Sequence, residues 1–163
     1  MTRKYYANLL PKDFDNFDCL KIAPGIYLIL LFILRAYITW IMSVTNMRDH
    51  VGIIQWIFPQ TSLFYLNLIS GALGLFIVFI LCLRRPNAAS WVKWSWRNCH
   101  ILLIIALIFD LVITMLGYMV WHLQSTSWLL MQCVIVTIAI AYIILNKRFA
   151  INLTEFPEPL PEK

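Results

Sequence analysis

An all-α membrane protein is the fold class this sequence predicts, with four transmembrane helices in a compact bundle, and three observations predict it. Hydrophobic residues make up 61% of the chain and charged ones 13%, against a globular average of roughly 45–50% and about 25%. The apolar residues fall into long runs, each close to the roughly 20 residues a helix needs to cross a hydrocarbon core. Between those runs Lys and Arg gather on one side: four in the N-terminal segment, four in the 84–98 loop and three in the tail, against Arg48 alone on the other side. That asymmetry is a positive-inside signal and puts both termini in the cytosol.

The first run, Pro24 to Val44, reads PGIYLILLFILRAYITWIMSV and carries one cation, Arg35, near its centre. Ahead of it, residues 1–23 mix charges with Tyr5, Tyr6, Leu9, Leu10, Phe14 and Phe17, a composition suited to the headgroup layer. Pro24 stands where a first-turn proline is tolerated, so the first span, 24–44, starts there. No small-residue cleavage site is evident, and the span is expected to remain as an anchor.

From Val51 to Leu83 the chain is apolar for longer than one span needs, and Pro59-Gln60-Thr61-Ser62 divides it. The division leaves a short interfacial segment, His50 to Phe58, and a second span over 63–83. The 84–98 loop interleaves Arg84, Arg85, Lys93 and Arg97 with Trp91, Trp94 and Trp96, a pattern that suits lipid headgroups. A third span follows over 99–121, then a turn at Gln124-Ser125-Thr126 and a fourth span over 128–145, stopped by Lys147-Arg148. Residues 24–145 thus form the transmembrane domain. The remainder, 146–163, is a cytosolic tail with Pro157, Pro159 and Pro161, expected to be extended and mobile. Trp40, Trp56, Trp121 and Trp128 fall at the outer interface and Trp91, Trp94, Trp96 and Tyr142 at the inner one, an aromatic belt that agrees with the charge frame.

Asp110 is the one acid inside any of the other apolar runs. It lies eleven residues past Cys99, as Arg35 lies eleven past Pro24. At about 1.5 Å per residue both sit about 16 Å inside the cytosolic boundary, near the midplane. An isolated charge at that depth costs about 2.5–3.5 kcal/mol on insertion scales, and pairing relieves both partners. Around them the helices carry small and polar stripes: Asn67, Ser70, Gly71 and Gly74 on the second span, Ala106, Thr114 and Gly117 on the third, and Cys133, Thr137 and Ala141 on the fourth. Such stripes are natural contact faces, because small residues let helices approach where apolar burial supplies no driving force. Two readings compete for the pair. In one, Arg35 and Asp110 fix the register of the first and third helices. In the other they belong to a proton or ion pathway or bind an anionic group; pairing with lipid or with another subunit stays open beside both.

Other chemistry finds little support. His50, His100 and His122 lie far apart and on different sides, and the four cysteines, Cys19, Cys82, Cys99 and Cys133, form no CxxC and no metal-ligand spacing. No metal site, cofactor or catalytic constellation is expected. Asn152-Leu153-Thr154 matches the glycosylation triplet but falls on the cytosolic tail. The net charge of +5 sits beside apolar runs, where it serves topology instead of nucleic acid.

The order FDCLKIAP, FILRAYITW, IFPQTSLFY, an RRP loop with tryptophans, and LIFDLVI resembles the YfeZ-type family of small bacterial inner-membrane proteins, over roughly residues 14 to 148. The resemblance implies a bacterial inner membrane and four spans, and it brings no activity. The expected function is therefore a non-enzymatic accessory, assembly or scaffold protein whose partners are membrane lipid, another membrane protein or a second copy. The alternative is a small transporter or proton-conducting protein built on Arg35 and Asp110.

Overall fold

The computed structural model describes residues 19–46, 52–58, 60–121 and 125–157. Expectations for residues 1–18, Arg48, His50, Pro59, His122, Gln124, Pro159 and Pro161, and for the side chains of Trp56 and Trp121, lie outside the described residues. Among those described, every element is a helix: α1 (Pro24–Ile33), α2 (Arg35–Thr45), α3 (Gly52–Ile57), α4 (Thr61–Cys82), α5 (Ser90–Arg97), α6 (Cys99–Trp121), α7 (Thr126–Leu145) and α8 (Lys147–Thr154). Three of them, α4, α6 and α7, are long and apolar enough to cross a membrane. The number rises to four if α1 and α2 count as one broken span.

That break corrects the reading of 24–44 as one continuous helix. α1 and α2 meet at 69°, around Leu34 at φ −87° and ψ 8°, the sparsely allowed bridge between helix and extended backbone. No proline or glycine stands between Ile29 and Ser43 to cause it. The physical reason lies in Arg35, whose Nη1 donates to the Phe32 carbonyl at 3.1 Å. A side chain that takes a carbonyl from the ladder is a recognised source of kinks. Residues on both sides of the bend pack on α4. Gly74 faces Ile33 and Leu34, and Gly71 faces Tyr37 and the Ile33 carbonyl. Nearer the start of α4, Ala36 shares an apolar cluster with Phe58, Leu63 and Phe64.

Close approach is what the α4 stripe permits. A Cβ built on Gly71 would stand 2.9 Å from the Tyr37 ring and 3.2 Å from the Ile33 carbonyl, so glycine there is a packing requirement. The main core runs from Ala23, Ile26 and Ile33 through Ile77, Ile80, Leu103, Ala106 and Leu107 to Val136 and Ile143. α7 is the least enclosed long helix, with 17% of its apolar window buried against 44% for α4 and 39% for α6.

One end of the bundle carries a folded cap, which corrects the expectation of an extended tail. The Asn146 side chain accepts from the Phe149 amide at 3.1 Å and starts α8, as asparagine commonly does at a helix N-terminus. α8 then closes over the chain ahead of α1. Asn152 Nδ2 and Arg148 Nε both donate to the Lys21 carbonyl at 3.2 Å, and the Leu20 amide donates to Glu155 Oε2 at 2.8 Å. Trp96 belongs to this cap: it is 1% exposed and its Nε1 donates to the Asn152 carbonyl at 2.9 Å. Its expected place among lipid headgroups is therefore corrected, since α8 supplies both a cover for the indole and an acceptor for its N–H. Arg84 is similarly drawn inward, its guanidinium 4.7 Å above the Trp96 ring and Nη2 on the Glu155 carbonyl at 3.3 Å.

Candidate functional site

The polar centre of the bundle is built by four helices, each contributing one or two side chains. α6 supplies Asp110, eleven residues from either end of Cys99–Trp121 and 1% exposed. α2 opens on Arg35, 20% exposed, and the bend at Leu34 puts this first residue of α2 against α4 and α6. The two form a bidentate pair, Nη1 to Oδ2 at 3.0 Å and Nη2 to Oδ1 at 3.2 Å. α4 adds Ser70, whose hydroxyl donates to Oδ1 at 2.7 Å, and α7 adds Gln132, whose Nε2 donates to Oδ2 at 2.8 Å.

The Asp110 carboxylate is fully matched by donors. An ionised carboxylate offers about four lone-pair positions, and Asp110 receives four donors from Arg35, Ser70 and Gln132. The four Nη hydrogens of Arg35 are matched too: two by the carboxylate, one by the Phe32 carbonyl and one by Asn67 Oδ1. Second contacts hold the partners. Asn67 Nδ2 donates to the Leu63 carbonyl at 2.8 Å, and Thr39 Oγ1 to the Arg35 carbonyl at 2.7 Å. Thr114 donates to the Asp110 carbonyl at 2.9 Å and accepts the other Gln132 N–H at 2.8 Å. A buried pair compensates its desolvation only when the remaining polar positions are filled in this way. Among the described residues no group of three or more His, Cys, Asp or Glu could hold a metal ion.

The sequence-predicted residues distribute unevenly around this centre. Asn67, Ser70, Gly71 and Gly74 all lie on the buried face of α4, and Ala106, Thr114 and Gly117 on that of α6. The stripe on the fourth span does not: Thr137 and Ala141 are exposed and Cys133 is half-buried, whereas Gln132, Val136, Ala139 and Ile143 face the core. The correction is a rotation of one residue, about 100° on a helix, and its cause is Gln132, which turns inward to reach Asp110. Sequence reasoning missed Gln132. The available signal was an amide inside an apolar run, which needs a partner as a charge does. Of the headgroup set, Arg85, Trp91, Lys93, Trp94 and Arg97 are exposed, while Arg84 and Trp96 serve the cap.

Three apolar helices of spanning length, with an ion pair between the start of α2 and the middle of α6, mark a membrane protein whose helices are joined by polar contacts. Within that class the chain belongs to the DUF2919 family, described as a protein of unknown function, whose family model matches residues 10–155. No curated protein and no solved structure matches it.

Proposed function

We propose that this is a four-span, non-enzymatic accessory or scaffold protein of a bacterial inner membrane, of the YfeZ type, with Arg35 and Asp110 serving as an internal lock. The observation that carries the reading is the saturation of the Asp110 carboxylate. A carboxylate with four donors has no lone-pair position left for a passing ion without breaking contacts to three other helices, and Arg35 spends all four Nη hydrogens on Asp110, Asn67 and the Phe32 carbonyl. A relay also needs further titratable groups along its path, and the other side chains in this network are amides and hydroxyls.

Parity supports the count of four. Residues 20–21 and 148–155 hydrogen-bond to one another, so the chain enters and leaves at the same end of the bundle. Three long helices are an odd number, and α1 with α2 supplies the remaining crossing. Arg84, Arg85, Lys93, Arg97, Lys147 and Arg148 all belong to elements at that end, which favours a cytosolic placement of the cap.

The test is purification of the full chain in mild detergent with identification of what accompanies it, followed by reconstitution alone in liposomes. A stoichiometric membrane partner and a proton gradient that stays intact are the expected results. A solitary protein that dissipates the gradient overturns the reading in favour of the conducting one.

A further inference from the structure

The outward side of α5 is two-toned. Its buried face is Val92, Ser95 and Trp96, and the exposed remainder splits into a basic edge, Lys93 and Arg97 one helical turn apart, and an aromatic edge, Trp91 and Trp94. Trp94 is 68% exposed. Trp91 stacks on Phe79 with ring centroids 6.4 Å apart and planes 19° from parallel. Phe79 lies in the last turn of α4 and is itself 53% exposed, on the lipid-facing side of a helix long enough to span. The stacking fixes the height of the aromatic edge at the rim of the hydrocarbon, and the basic edge therefore lies at headgroup level.

Beside Trp91 the chain leaves an open niche of about 230 Å³, lined by Leu83, Arg85, Pro86, Asn87, Ala88 and Val92. Arg85, Lys93 and Arg97 form no ion pair with a carboxylate among the described residues. The described acids are only Asp110, buried at the centre, and Glu155, turned into the cap on the Leu20 amide. Three exposed cations with no counter-charge among the described residues, next to an apolar niche and two indoles at the membrane rim, have the chemistry of an anionic lipid contact.

We propose that this surface binds an anionic phospholipid, its phosphate-bearing headgroup against Arg85, Lys93 and Arg97 and its glycerol and upper acyl chain along Trp91 and the niche. The proposal rests on the protein being embedded in a membrane, but not on which side the cap faces or on the accessory role. Lys93 stands where α5 meets the cap, with Nζ 5.5 Å from the Phe156 ring. The site ties the cap to the leaflet: α5 presents the lipid on one side and holds α8 through Trp96 on the other.

The experiment is lipid titration of the delipidated full chain in neutral detergent micelles, with bound phosphatidylglycerol or phosphatidylcholine counted by native mass spectrometry. Wild type is expected to prefer phosphatidylglycerol. The variant R85Q/K93Q/R97Q, whose changes are on exposed side chains and which is expected to melt with wild type, should lose most of that preference. Each cation near an anionic surface is worth roughly fivefold, so three compound to about a hundredfold. Equal binding of the two lipids by wild type, or an unchanged preference in the triple variant, overturns the proposal. Displacement of phosphatidylglycerol by millimolar inorganic phosphate overturns it also, by identifying a free-anion site. Micelles have no sides, so a reversed topology would leave these outcomes standing.

Discussion

Removing the two central charges together should cost far less than removing either alone. In D110N an amide replaces the carboxylate, and its nitrogen then faces donors from Arg35 or Gln132 that previously met an oxygen. The arginine cannot shed its proton and stays buried without a counter-charge. Breaking a buried pair in this way costs about 3–5 kcal/mol. The low end of that range applies, because Arg35 keeps 20% exposure at the helix bend. R35Q leaves a carboxylate still served by Ser70 and Gln132, so its loss should be smaller. In R35Q/D110N two amides can bond each other and their neighbours with no charge left over, and replacing both partners approaches neutrality. With about 3 kcal/mol assigned to D110N alone, the expected coupling is about 3 kcal/mol or a little more, at the top of the range for residues in one network. Unfolding of the four proteins in a denaturant series, in one detergent, measures the cycle. Additive losses, with a coupling near zero, would refute the lock. A double variant that regains stability and yet loses partner co-purification would refute its purely structural role.

The cap gives a paired expectation: W96A opens a void under α8 and removes the Asn152 bond, costing about 3–5 kcal/mol, whereas W94A changes an exposed ring and should leave the melting temperature within a degree or two. Ending the chain at Leu145 removes Phe149, Asn152 and Glu155 from their partners, and should reduce the detergent-soluble monodisperse fraction severalfold, while ending it at Pro157 should not. G71A drives a methyl toward the Tyr37 ring and a backbone carbonyl and should destabilise by about 1–3 kcal/mol. G117A meets its nearest atom at an ordinary 3.4 Å and should be nearly silent in the same melting assay.

Legibility in the sequence followed how few ways a residue had of being satisfied. A lone arginine and a lone aspartate in apolar runs have very few, and Arg35 and Asp110 mark the centre of the bundle from the sequence alone. Gln132 obeyed the same logic more quietly, its uncharged amide standing one position from the small residues that attracted attention instead. The bend at Leu34 was hidden because no residue type marks it; it exists because Arg35 reaches a carbonyl three residues back, a tertiary demand written over a good helical pattern. Trp91, Trp94 and Trp96 look equivalent as letters. What separates them is α8, whose docking covers one indole and leaves two, and Asn146 ahead of Phe149 was the local sign that the tail would start a helix at all.

The central pair also sets an order of events during synthesis. Arg35 and Asp110 are 75 positions apart. At about 5–20 residues per second, translation of those 75 residues leaves the guanidinium without its acid for about 4–15 s. Gln132 arrives 22 residues later still, and the cap closes last. A nascent chain in this position is ill suited to release into lipid as soon as its first segment is made; it is better served by staying near water until α6 follows.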